Sequence, residues 1–243
     1  DILENEEIKL DRMMTFSLMH DIVKGMDFIH SGDLRSHGKL KSSNCVVDSR
    51  FVLKVTDFGL PHLHSLEDPP SATEEVYSYW RRLLWTAPEL LRQDKPPITG
   101  TQKGDVYSFG IILHEMSFRS GAFYIDNEEI APQEIVERVK LNQEPPFRPS
   151  IDEIKCEDTI ISLMTRCWAE DPHDRPDFST IRRQVRDLNR QYESSNIVDN
   201  LLKRMEQYAE NLEALVEERT RDYLEEKRKA EDLLYAMLPK YIS

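Results

Sequence analysis

The chain has 243 residues, 39% of them hydrophobic, and its 45 acidic against 32 basic side chains give a net charge of −13. This length accommodates one large domain with an appendage, and the acidity argues against nucleic acid and against a polybasic membrane anchor. No run of about 18 apolar residues exists to span a bilayer, and no signal peptide is found. Cys45, Cys156 and Cys167 have no metal-ligand spacing and are expected to be buried thiols of a reducing compartment. The opening Asp1-Ile2-Leu3-Glu4 falls in mid-pattern, as expected of a piece of a longer protein.

Residues 11–30 carry Phe16, Met19, Val23, Met26 and Ile29 at helical spacing behind Asp11, a candidate cap. They predict a core-facing helix that ends near His30-Ser31-Gly32. Residues 37–60 follow as HGKLKSSNCVVDSRFVLKVTDFGL. Within them, Cys45–Val47 and Phe51–Val55 flank Asp48-Ser49-Arg50 and predict a short hairpin.

This stretch resembles the catalytic and metal-binding segment of a protein kinase, H-R-D-L-x-x-x-N, a hairpin, then D-F-G. His37, Leu40, Asn44 and Asp57-Phe58-Gly59 stand at the pattern's positions, whereas Gly38-Lys39 replaces its Arg-Asp pair. In a kinase that aspartate accepts or orients the proton of the attacking hydroxyl. A lysine ammonium has no lone pair to offer, so Lys39 cannot do so. Asn44 and Asp57 are oxygen ligands suited to magnesium, and are candidate magnesium or nucleotide contacts of the complete domain only. His37 reads as a structural residue of the loop. No Gly-rich loop or strand lysine precedes it, so any nucleotide pocket on this chain is expected to be half built.

Residues 61–86 are polar and rich in Ser, Thr and Tyr, and occupy the place of a kinase activation loop closed by Ala87-Pro88-Glu89. A solvated loop is expected there, with phosphorylation of Tyr77, Ser78 and Tyr79 as the alternative reading. Gly104-Asp105-Val106-Tyr107-Ser108-Phe109-Gly110, followed by Ile111-Ile112-Leu113, predicts a helix buried on all sides. A shorter helix should begin near Pro132. Cys167-Trp168-Ala169-Glu170-Asp171-Pro172-His173-Asp174-Arg175-Pro176 completes the landmarks. The kinase resemblance implies that Asp105 holds the catalytic loop by backbone hydrogen bonds, and that Arg175 pairs with Glu89. Both roles are structural.

From Asn196 onward glycine is absent and Glu, Lys, Arg and Leu dominate, the composition of a long helix. Leu202, Met205, Ala209, Leu212, Val216, Arg219, Tyr223, Glu226, Ala230, Leu233 and Met237 alternate steps of three and four, the a/d seam of a coiled coil. Arg219 and Glu226 put charge in the middle of that seam. The expected fold is mainly α, a protein-kinase-like large (C-terminal) lobe over 1–192 followed by a coiled-coil helix over 196–238.

H-G-x-L-K-S-S-N-C-V-V-D with R-F-V-L-K-V-T-D, and the tail from Glu217 to Pro239, resemble the kinase-homology domain and dimerisation linker of membrane receptor guanylate cyclases. Position 39 varies within that family. The resemblance implies a regulatory pseudokinase without enzymatic activity of its own, forming a homodimer through the C-terminal helix. It places the chain on the cytoplasmic side of the plasma membrane, where it relays ligand binding to a downstream domain that makes cyclic GMP from GTP. No cofactor is required by the chain itself; ATP and magnesium are candidate ligands of the complete domain. The rival readings are an active tyrosine-kinase-like enzyme and a purely scaffolding coiled-coil module.

Overall fold

The computed structural model describes the chain except residues 1, 4, 6–9, 49, 60–72, 126–129, 152–155, 194–196 and 238–243. Asp11 accepts a hydrogen bond from the Met14 amide at 2.8 Å and opens α1 (Arg12–Ser31), which buries all five apolar residues that its spacing singles out. A 3-10 turn over Ser42–Asn44 leads into the antiparallel pair β1 (Cys45–Val47) and β2 (Leu53–Val55), in the register Val46 opposite Lys54.

The second strand is shorter than the apolar run from Phe51 predicts. Asp48 Oδ1 accepts from the amides of Arg50 and Val52 at 2.9 and 3.2 Å, which extends the turn, and Phe51 enters the left-handed region at φ 58°. These hydrogen bonds, the Arg50 amide first, hold the Asp48 carboxyl well below the usual carboxylate range.

The stretch expected to be a solvated loop is helical over the part that is described. Residues 60–72 lie outside the described residues, but α2 (Thr73–Arg82) and a 3-10 turn over Leu83–Trp85 occupy the rest. Val76 and Trp80, one helical turn apart, are half-buried, and Arg81 and Arg82 end the helix where positive charge is favoured. Tyr77 and Ser78 face solvent, while Tyr79 meets Trp80 edge-on at 5.3 Å.

After the short α3 (Pro88–Leu91), α4 (Gln102–Phe118) runs through the centre of the lobe with every residue from Gly104 to Met116 buried. Of the remaining helices, α6 (Asp158–Cys167) packs directly on α4, α5 (Pro132–Lys140) packs on α2, α3 and the turn Leu83–Trp85, and α7 (Phe178–Glu193) packs along α1. Pro132 is in the first turn of α5, where its missing N–H costs nothing. Gly110 lets α6 come close, since a Cβ there would lie 3.1 Å from that of Cys167. Of the three free thiols only Cys167 is fully buried, and burial pushes it up to about 12; Cys45 and Cys156 are half-buried, a correction to the expected set.

The chain then forms α8 (Ile197–Met237). Among the described residues, no helix is long and apolar enough to cross a membrane.

Candidate functional site

The loop Ser36–Asn44 is held against α4 by one buried carboxylate. Asp105, 1% exposed, accepts from the His37 amide at 2.7 Å, the Gly38 amide at 2.8 Å and His30 Nε2 at 2.8 Å. Three donors on one buried carboxylate offset its desolvation. His37 is buried, and its tautomer follows from its partners. The Lys39 amide donates to Nδ1 at 3.2 Å, so the ring proton sits on Nε2 and is donated to the Thr56 carbonyl at 2.9 Å. With both nitrogens engaged, the ring has no lone pair for a substrate.

Gly38 has a physical reason that the sequence pattern conceals. It sits at φ 79° against Thr99 and Gly100, and a Cβ there would lie 2.4 Å from the Thr99 carbonyl oxygen. Ser36 Oγ donates to the same carbonyl at 2.8 Å. No side chain fits at position 38 without moving this contact.

The Asn44 and Asp57 side chains are brought together. Asn44 is buried and donates through Nδ2 to the Lys39 carbonyl at 2.8 Å and to Asp57 Oδ2 at 3.3 Å. With Nδ2 the donor, its amide oxygen is the atom of the group able to ligate a cation. Asp57 is exposed, in the left-handed region at φ 62°. One amide oxygen and one carboxylate fit magnesium, which keeps most of its waters and takes its other ligands from a phosphate. They do not make a protein cage, and the described residues hold no cluster of three or more His, Cys, Asp or Glu side chains able to bind a metal.

Sequence reasoning missed two members of this neighbourhood. Lys41 lies close enough to feel Asp57; burial lowers its pKa, the Asp57 charge opposes that, and Arg82 reinforces it. Glu115, buried on the last turn of α4, accepts from Ser42 Oγ at 3.0 Å and from Trp85 Nε1 at 2.8 Å. It ties the loop to the end of the α2 segment. Glu115 and Asp105 are the two acids of the otherwise mostly apolar α4, and a second carboxylate in that buried run is the signal that could have found it.

Glu89 and Arg175, 86 residues apart, meet in a bidentate pair at 2.7 and 2.8 Å. Arg175 further donates to the carbonyls of Ala169, Lys103 and Glu170 at 2.8, 3.0 and 3.2 Å. Arg175 and Arg148 sit on Tyr107, 5.3 and 5.2 Å from its ring centre.

The seam residues lie along one helix. Met205, Ala209, Leu212, Val216, Arg219, Tyr223, Glu226 and Ala230 are all exposed; the side chains of Leu202, Leu233 and Met237 fall outside the described residues.

The family model described as protein tyrosine and serine/threonine kinase matches residues 1–185. The whole chain is 57% identical to the receptor-type guanylate cyclase gcy-28 of Caenorhabditis elegans, covering 20% of that protein. It is 55% identical to atrial natriuretic peptide receptor 2 of Homo sapiens and 48% identical to the receptor-type guanylate cyclase Gyc76C of Drosophila melanogaster, again over the whole chain, covering 23% and 16% of those proteins. The chain thus spans about a fifth of the length of the curated relatives it matches.

Proposed function

The chain belongs to the protein tyrosine and serine/threonine kinase family and is homologous over its whole length to receptor guanylate cyclases, and from this premise we propose that it is a regulatory pseudokinase with a dimerising linker. The observation that carries the reading is Lys39, on a loop whose backbone is otherwise fixed. Asp105 pins the amides of His37 and Gly38, so residue 39 follows directly from the anchored segment where a kinase sets its proton-accepting carboxylate. An ammonium cannot accept that proton, and the ring of His37 is fully engaged. Binding and relay remain.

In this reading the longer protein makes cyclic GMP from GTP in a separate downstream domain, and the chain lies on the cytoplasmic side of the plasma membrane. Asn44 and Asp57 hold magnesium and Lys41 meets phosphate when nucleotide is bound; the ion supplies charge neutralisation at the phosphates. The helix α8 pairs with that of a second copy through its seam, and nucleotide biases the arrangement that this pair hands to the cyclase.

The test uses membranes bearing the full-length protein. Phosphate transfer and cyclic GMP are measured with wild type, Lys39→Ala and Asp57→Asn. The expected result is no phosphate transfer in any of them, with ATP modulating cyclic GMP output in the wild type and less so in Asp57→Asn. Magnesium-dependent phosphorylation that disappears in Lys39→Ala overturns the reading, and so does a nucleotide-insensitive output in the wild type.

A further inference from the structure

The end of α4 makes a second set of contacts, away from the loop. Arg119 follows the helix in the left-handed region at φ 49°, its amide on the Glu115 carbonyl at 2.9 Å. Its guanidinium reaches back across the lobe and donates to the backbone carbonyls of Ile2 at 3.1 Å, Leu3 at 3.4 Å and Asn5. Leu3 packs against the core. Asn5 then donates through Nδ2 to Glu218 Oε2 on α8 at 3.0 Å, a hydrogen bond strengthened by the carboxylate charge.

The burial along α8 agrees with this contact. Among its described side chains only Ala214 and Glu218 are partly buried, and they stand one helical turn apart on one face. With Val216 at a and Arg219 at d, Ala214 takes position f and Glu218 position c. Positions c and f lie on the outside of a coiled coil, away from its seam.

We propose that Ile2, Leu3 and Asn5 form a strap that docks α8 onto the lobe, Arg119 anchoring its backbone and Asn5 gripping Glu218, on the face opposite the dimer seam. A helix held on that face has its rotation set by the lobe and still offers its seam to a second copy. The last turn of α4 serves both ends of this link. Its Glu115 holds Ser42 and Trp85, while Arg119, one turn further on, holds the strap. A shift of the loop and a shift of the helix are thereby felt at one rigid element. The orientation of the seam rests on the dimer reading above; the docking contact does not.

Hydrogen exchange by mass spectrometry on the whole chain tests the strap, with sedimentation run on the same samples. Glu218→Ala and Asn5→Ala are each expected to speed exchange of the segment around residues 2–5 roughly three- to tenfold, with α1 and α4 unchanged. Asn5→Lys, which exchanges the amide for an ammonium facing Glu218, is expected to keep that segment protected, and to lose the protection when combined with Glu218→Ala. Unchanged exchange in Glu218→Ala overturns the strap, as does protection by Asn5→Lys that survives the loss of Glu218. A chain that sediments as a monomer with the strap protected sinks the dimer reading alone. A dimer whose residues 2–5 ignore Glu218→Ala sinks the strap alone.

Discussion

Within the lobe, Arg175 is 1% exposed, and each of its five N–H donors meets an acceptor: two on Glu89 and three on backbone carbonyls. Along α8, Arg219 and Glu226 face water, and so do Val216 at 62% and Tyr223 at 67% exposure. In the lobe this buried charge is fully paired from within. The helix supports itself by pairs one turn apart, Glu225–Lys229 at 3.1 Å and Lys227–Glu231 at 3.8 Å, and leaves an apolar stripe uncovered. Alterations to the lobe should therefore appear as stability, and alterations to α8 as association.

The sharpest break comes at Arg175. Arg175→Ala should cost the lobe roughly 3–5 kcal/mol, since it opens a cavity, strands the Glu89 carboxylate and orphans three carbonyls. Glu89→Ala should cost less, roughly 1–3 kcal/mol, because Arg175 keeps its three carbonyls and the Glu89 side chain is 22% exposed. The double variant should melt close to Arg175→Ala alone. Urea unfolding measures all three; additive losses would break the pair.

Next in size is Gly38→Ala, expected to cost roughly 2–3 kcal/mol because the new methyl meets the Thr99 carbonyl and the residue is forced to hold a positive φ. The same contact predicts that Gly38→Arg with Lys39→Asp restores a kinase wording without restoring the loop. Unfolding midpoints near wild type for Gly38→Ala would show that residues 99–100 yield.

What was legible in the sequence follows from how local each cause is. The α1 stripe, the buried run of α4 and the Asp11 cap are written within a few residues, and all stand in the fold. Order and spacing of the kinase landmarks carried the Glu89–Arg175 and Asp105 contacts, though only through resemblance. The helix α2 was missed because its polarity outweighed a two-residue stripe, Val76 and Trp80, whose partners lie elsewhere in the chain. Gly38 looked like a departure from a pattern; its reason, the approach of Thr99 and Gly100, is 61 residues away. The hold of Arg119 on the backbone of Ile2, Leu3 and Asn5 leaves no side-chain signal at those positions at all.

For α8 the comparison is sharpened by removing charge from the seam. Arg219→Leu with Glu226→Leu should tighten association of the chain roughly ten- to a hundredfold, because two apolar side chains per copy replace groups that must lose hydration. Glu226 already leans on Lys229 at 3.2 Å, so Arg219→Leu should account for the larger part. Sedimentation of both copies decides: no gain in dimer means that the seam register is wrong, while the melting of the lobe should stay unchanged either way.

The smallest expected effect is a pH dependence confined to the lobe. His114 is buried between Phe118 and Trp168, with ring centres at 4.7 and 6.0 Å. It holds the Ser150 carbonyl through Nε2 at 2.8 Å, while Nδ1 has no hydrogen-bond partner among the described residues. Burial pushes its pKa below the ordinary 6.5, and the Ser150 carbonyl only partly opposes this. The folded lobe therefore prefers the neutral ring. The unfolded chain takes up a proton as pH falls through 6.5, whereas the folded lobe resists until its own lower pKa is reached. Stability is consequently full above 6.5 and declines through that window, by at most about 1.4 kcal/mol per pH unit. The chain carries six other histidines, so the comparison needs a variant in which only His114 is silent. His114→Gln keeps a donor for Ser150 and cannot titrate. Its unfolding free energy should fall less than that of wild type between pH 7 and pH 5.5, and parallel curves for the two proteins would place the acid sensitivity of the lobe at a different residue.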